Sequence, residues 1–510
     1  MKKNDAYLHI GRASDLSGVD RTLYRFFEMI PGALSVITLL LFIVLSFFIP
    51  SVVAYFTIGF SAYWLFKTIF LTTHLRHNFK RMTHNLNIDW TKKLENTNHE
   101  EIIHLVILPF FREPYEVLAE SVRAIDTASF SNKQIAVVLA AEEAGGREAL
   151  ESAQRIEKEF QNTFLAIMTT VHPKGQEGEI PGKGSNIAYA AKVSKEKIID
   201  ARAIPHEKVI VSAMDSDTVV YKDYFSCLTW HFLTCDNPLR SSFQPVPLYN
   251  NNIWSSPMLS RVLGYSSTFW QMIQQERPER LSTFASHAVP LVPLIEANYW
   301  QRNMVNEDSR IFFNLFMLYD GDYEVIPLSY PVSMDANVAP TFWGTVQNLY
   351  KQHLRWSYGS AENIPYLMFH FIKNPNISLV KKVRLLFVHI EGAWSLAVQP
   401  LILFAVGWMP LVIGGKDFNN TVLSYNLPIV SSWFLTAAMF GLVFLAIYSL
   451  QLIPKNPQNH TFRAQVPMAL QWILVPFTMV IFSSIPGLDA QLRLAFGKYL
   501  GFWNTPKFRT

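Results

Sequence analysis

Apolar residues follow two kinds of pattern along this chain. Toward both ends they run on without interruption. No Asp, Glu, Lys or Arg occurs between Glu28 and Lys67, between Glu391 and Lys416, between Asp417 and Lys455, or between Arg463 and Asp489. A bilayer crossing needs about 20 apolar residues. The first gap therefore predicts two spans, near 32–49 and 52–72, with Pro50 between them. The later gaps predict spans near 396–414, 430–453 and 467–487. The stretch "LSVITLLLFIVLSFFI" (34–49) has no polar face to offer water, which argues against a buried core helix. It is too long for a cleavable signal peptide, and no small-residue cleavage site precedes its resumption. The segment 385–394, with His389 and Glu391, reads as an interfacial helix lying on the membrane.

Between roughly 100 and 365 the pattern changes. Short apolar runs rich in branched residues, at 104–110, 134–141, 163–171 and 207–215, predict buried strands. Amphipathic segments at 116–125, 146–161 and 184–194 predict helices between them, the last with Ser185 or Asn186 near its start. Strands alternating with helices imply a parallel sheet, whose ligands bind beyond the carboxyl ends of the strands. The expected organisation is a cytosolic segment at 1–30, two spans in 31–73 and an α/β domain at 100–365. Interfacial helices at 366–395, about three spans in 396–487 and a tail at 488–510 complete it.

Composition agrees. The 510 residues are 50% hydrophobic and only 16% charged, below the usual share of about 25%, and the deficit lies in the gaps. A formal charge of +4 without a basic stripe gives no reason to expect nucleic acid as a partner. The two cysteines, Cys227 and Cys235, form no C-x-x-C pair, as suits a reducing cytosol. Basic loop residues set the orientation in a bilayer. Lys2, Lys3, Arg12, Arg21 and Arg25 precede the first span, Arg76, Lys80 and Arg81 follow the second, and Lys381, Lys382 and Arg384 precede the third. These place the α/β domain in the cytoplasm of a cell-membrane (inner or plasma membrane) protein, and Lys455 returns the chain to that side. Five spans then leave the tail outside, against the preference of Arg493, Lys498, Lys507 and Arg509. A sixth crossing or a re-entrant segment would restore parity.

The candidate chemistry begins at "MDSDT" (214–218). An isolated buried carboxylate is very costly, so Asp215 and Asp217 need a partner. If the strand persists, both point the same way and make a hard-oxygen site suited to Mg²⁺ or Mn²⁺ with a substrate phosphate. A helix-capping role is the bland reading. Glu307 and Asp308 ahead of an amphipathic helix carry the same pair of readings. Gln352, Arg355 and Trp356 lie at i, i+3 and i+4 and share one helix face, where an aromatic ring can stack and a guanidinium can hold a phosphate.

In order, "ILPFFREP", "PGKGSN", "MDSDT", "NEDSR" and "QHLRW" between membrane spans resemble the membrane-bound family 2 glycosyltransferases, with cellulose and hyaluronan synthases as the nearest picture. The resemblance covers about residues 100–365. It implies an α/β cytosolic GT-A domain embedded between α-helical transmembrane segments. It also implies an inverting, metal-dependent hexosyltransferase that uses a nucleotide-diphospho-sugar, UDP-linked by preference. The acceptor would be a growing glycan, with the later spans (Trp394, Gln399 and Trp472 among their residues) forming an export path. A non-processive enzyme with a lipid-linked acceptor is the alternative, and an inactive binding or transport subunit is a third reading.

The resemblance also implies roles. Asp308 would be the catalytic base. Asp217 would hold the metal, with Asp215 beside it on the nucleotide sugar. Glu113, Lys183, Asn186 and Arg355 would complete the donor site, Arg355 on the diphosphate. Gln352, Trp356 and Glu307 would face the acceptor, and His287 would either bond a sugar hydroxyl or be a histidine satisfied in a packed loop. Two positions depart from the family. "LAAEEAGG" stands where an aspartate is usual, so Glu142 or Glu143 would recognise the nucleoside, and Asn306 stands where many relatives have Thr.

Overall fold

A computed structural model describes residues 5–454 and 462–508. Lys2, Lys3, Lys455 and Arg509 lie outside the described residues. The centre of the chain folds around an eight-stranded mixed sheet. Its strands are β1 Ile103–Phe110, β2 Ile135–Glu142, β3 Ala166–His172, β4 Val209–Ala213, β5 Val219–Val220, β6 Ser241–Tyr249, β7 His287–Pro290 and β8 Glu324–Met334. Their order is β3-β2-β1-β4-β7-β6-β8-β5. The first four pair in parallel, as the alternation predicts. β7 then pairs antiparallel with β4, so the whole is a GT-A-like mixed sheet, not a purely parallel one. β1, β2 and β4 are almost wholly buried because helices cover both faces, which is why they read as continuous apolar runs.

Five helices are long and apolar enough to cross a membrane: Gly18–Phe48, Pro50–Leu86, Leu379–Phe404, Val422–Leu452 and the composite Val466–Ala495. The first four form two out-and-back pairs. Leu8 and Ile10, ahead of the first helix, are hydrogen-bonded to Tyr366 and Arg310 of the catalytic domain. Beyond the fourth, the Leu452 carbonyl accepts from Asn250. Segment 385–394, expected to lie on the membrane, forms part of helix Leu379–Phe404.

The fifth stretch behaves differently. Arg261 of the catalytic domain donates to Gln471 near its start at 2.8 Å. Near its end, Arg25 donates to the Leu494 carbonyl and Tyr350 donates to Asp489. In between, Gly487 packs on Ala397 and Ser484 bonds the Leu396 carbonyl. The segment rises as a wedge between helices Gly18–Phe48 and Leu379–Phe404 and returns to the side it left. Pro467, Pro476 and Pro486, with a π-helical turn at Met479–Ser484, break it. The tail that follows lies against the catalytic domain, which removes the parity conflict.

Candidate active site

The carboxyl ends of β1, β2 and β4 open into one cavity. It is lined by Glu113, Glu142, Lys183, Asn186, Asp215 and Asp308, by Asp335 after β8, and by Gln352, Arg355 and Trp356 from helix Phe342–Lys373. Four residues of the C-terminal tail, Phe502, Asn504, Thr505 and Lys507, complete the wall.

Lys183 stands at its centre. It opens helix Lys183–Ser194, whose N-cap Gly182 has φ +151°, and its ammonium reaches Asp215 Oδ1 at 2.6 Å and Asp308 Oδ1 at 2.8 Å. Glu307 Oε1 is 3.7 Å away. Burial alone would lower the lysine pKa. Asp215, Asp308 and Glu307 outweigh burial and hold it above its ordinary value. Burial likewise would raise the Asp215 carboxyl, yet Lys183 and then Lys507 keep it low and ionised.

The aspartates do not point the same way. β4 ends at Ala213, so Asp215 and Asp217 sit in a turn beyond it. Asp215 faces Lys183. Asp217, fully buried, accepts from the Asp335 backbone N–H at 3.0 Å and from the Lys507 ammonium at 2.6 Å, both through Oδ2. The neutralising charges are thus two lysines. Asp335 is also buried, and burial followed by the Asp217 charge pushes its carboxyl up to about 7. Asp335 and Lys507 are site residues that sequence reasoning missed. A lone Asp after a strand and a basic tail residue leave no local signature.

Two observations bear on a divalent cation. Asp217 Oδ1 is buried without a hydrogen-bond partner among the described residues, and Lys507 already places a positive charge at its other oxygen. Among the described residues, no group of three or more His, Cys, Asp or Glu is placed to hold a metal by itself. A donor set of one or two carboxylates fits Mg²⁺ or Mn²⁺ only with substrate phosphate as a further ligand.

The remaining expected residues divide. Glu113 anchors the turn after β1, accepting from the Phe111 and Arg112 N–H groups and from Ser216 Oγ. Glu142, not Glu143, lines the cavity; Glu143 is exposed and accepts from the Lys174 N–H. Burial, then the Glu113 charge, pushes Glu142 up to about 7. Asn186 reaches the cavity while its Nδ2 is tied to the Ala140 carbonyl at 2.7 Å. Gln352 accepts from Asn337, Trp356 meets Phe284 edge-on, and the Arg355 guanidinium lies 5.0 Å from the Phe502 ring centre.

Two of the expected residues lie away from the cavity wall, and His287 takes the second of its two readings. His287 is fully buried. Its Nε2 accepts from the Trp300 indole, so Nδ1 carries the proton and bonds the Phe284 carbonyl, leaving no atom for a sugar. Glu307 is buried beneath the cavity instead of lining it, and burial followed by the Asp308 charge pushes it up to about 8.

Comparison with known proteins bears on the identity of this site. Residues 210–453, just under half of the chain, match the model of glycosyl transferase family group 2. No curated protein matches. Among solved structures, the mannosyltransferase PcManGT from Pyrobaculum calidifontis in complex with GDP-Man and Mn²⁺ aligns at 12% identity, covering 87% of this chain and 99% of its own, with a TM-score of 0.43. S. aureus TarS 1-349 in complex with UDP-GlcNAc aligns at 11% identity over 69% of this chain and 92% of its own, with a TM-score of 0.37. Both likenesses are too weak to carry an argument about function. The family match, which contains Asp215, Asp217, Asp308 and the Gln352–Trp356 face, supports a family 2 glycosyltransferase.

Proposed function

We propose that this protein transfers a sugar, with inversion, from a nucleotide-diphosphate donor to a hydroxyl of a growing glycan. One observation carries the reading. A single half-buried lysine joins Asp308 to Asp215 in a cavity that also holds Arg355, Gln352 and Trp356. That arrangement sets a carboxylate base beside cationic groups suited to a leaving diphosphate.

In the proposed step the acceptor oxygen attacks the anomeric carbon as the bond from that carbon to the diphosphate breaks on the opposite face. Hydroxyls are weak nucleophiles, so Asp308 takes the proton as the new bond forms. Negative charge grows on the leaving diphosphate, and Arg355 and Lys183 offset it. Asp217 and Asp215 are the residues that would hold Mg²⁺ or Mn²⁺, which when bound supplies Lewis-acid stabilisation of the diphosphate. Glu142 and Glu113 stand at the nucleoside end, with UDP as the expected carrier, and Trp356 and Gln352 at the acceptor end.

The test is a screen of UDP- and GDP-sugars with Mg²⁺ or Mn²⁺, reading nucleoside-diphosphate release and product length. Asp308→Asn is expected to lower transfer by about 10²–10⁴-fold while nucleotide binding persists. Near-normal turnover in that variant would remove Asp308 as the base. A ladder of long products supports the growing-glycan acceptor; a single sugar added to a lipid would replace it with a lipid-linked one.

A further inference from the structure

A second polar cluster lies far from this cavity, where the catalytic domain meets the membrane helices. Lys67 of helix Pro50–Leu86 donates to Glu391 Oε1 at 3.0 Å and to Ser395 at 3.1 Å, both on helix Leu379–Phe404. Around this hydrogen-bonded pair stand three arginines whose carboxylate contacts are long. Arg277 Nε is 3.5 Å from Glu279, Arg384 is 3.6 Å from the same Glu279 oxygen, and Arg280 is 3.9 Å from Glu391. These separations exceed the usual range of a good hydrogen bond, about 2.7–3.2 Å. The Arg280 Nε is buried and has no hydrogen-bond partner among the described residues. Four cations thus share two carboxylates, leaving an excess of two positive charges. Burial lowers the Arg280 guanidinium from its ordinary value, and the like charge of Arg277 adds to that. Such crowding is relieved by an anion, and guanidinium groups match a phosphate in a two-pronged geometry.

The aromatic rings beside the cluster bear on which anion. Phe66 and Phe70 on one helix and Phe387 on the other are exposed, and both helices are long and apolar enough to cross a membrane. The Arg277 guanidinium lies 5.3 Å from the Phe70 ring centre. A ligand here has its charged group among arginines and its remainder against aromatic rings at the bilayer edge.

We propose that this cluster binds the phosphate head group of an anionic membrane lipid, held by Arg277, Arg280 and Arg384. The lipid fastens the catalytic domain to the two helices that flank it, through groups that take no part in the transfer chemistry.

The test uses the full chain in detergent, with bound lipid counted by native mass spectrometry against added phosphatidylglycerol or phosphatidylcholine. Wild-type protein is expected to hold phosphatidylglycerol in preference. The Arg277→Gln, Arg280→Gln double variant should bind it about tenfold or more weakly, since each basic group near such a surface contributes about 1 kcal/mol. Arg280→Lys should keep most of the binding. Arg76→Gln, an exposed basic residue on helix Pro50–Leu86, should change nothing. Undiminished binding in the double variant, or equal retention of phosphatidylcholine, would overturn the proposal. So would displacement of the lipid by millimolar inorganic phosphate, which would mark a site for a soluble anion. No donor sugar is needed, so the outcome is independent of the reaction assigned above.

Discussion

Lys183 and Lys507 decide the electrostatics of the site, and they come from opposite parts of the chain. Lys183 holds Asp215 and Asp308 together. Lys507 sits on Asp217 Oδ2, next to the Oδ1 that would be open to a divalent cation. An ammonium on one oxygen of the carboxylate repels a cation approaching the other. Lys507→Gln is therefore expected to tighten Mn²⁺ binding several-fold in the absence of donor, measured by electron paramagnetic resonance of free Mn²⁺. Unchanged affinity would mean that Lys507 and the metal do not compete. Glu142 yields a pH dependence. Its folded-state pKa of about 7 lies above the ordinary carboxylate value, so the folded chain binds the proton more tightly than the unfolded chain. Its destabilising effect is absent at low pH, grows as pH rises through the ordinary value, and is complete above about 7. Glu142→Gln should raise the unfolding midpoint at pH 8, by roughly 1 kcal/mol after allowing for partial solvation, and leave it nearly unchanged at pH 4. An equal gain at both pH values would contradict the assignment.

Elements bring these residues together through close backbone contacts. Helix Phe342–Lys373 carries Gln352, Arg355 and Trp356, and its Gly359 packs on Asn306, just ahead of Glu307 and Asp308. A methyl group at Gly359 would fall onto the Asn306 side chain. Gly359→Ala should therefore cost about 1–3 kcal/mol, and turnover should fall further than nucleotide affinity if Asp308 is the base, because the helix is pushed away from it. A variant with normal turnover would show that this contact does not set the spacing. The strands β1, β2 and β4 and the helices between them were legible in the sequence because burial on both faces leaves uninterrupted apolar runs. The other half of the sheet was not. β6 is "SSFQPVPLY" and β8 contains "IPLSYPV", where prolines and serines hide the periodicity, and their tertiary pairing, parallel to each other, alone makes them strands.

At the scale of the molecule, both described ends of the chain lie against the catalytic domain. Residues 8–10 bond Tyr366 and Arg310, and Lys507 bonds Asp217. In a background with Cys227 and Cys235 replaced by Ser, cysteines introduced at Ser14 and Lys498 should react with a membrane-impermeant maleimide from one face of sealed vesicles. One at Asp417 should react from the other. Labelling of residues 498 and 417 from the same face would overturn the wedge assignment of Val466–Ala495. The linear order of residues by itself determined the apolar spans, the parallel core and the ordered motifs, because each depends on local composition and spacing. Only the tertiary structure decided that His287 is sealed by Trp300 and that Glu142 is the glutamate in the cavity. Only it showed that the last apolar stretch turns back and that a lysine near the end of the chain balances an aspartate 290 positions earlier. Hydropathy measures the transfer of a segment into lipid. It carries no information about which distant backbone groups hold that segment's ends, or which distant charge meets a buried carboxylate.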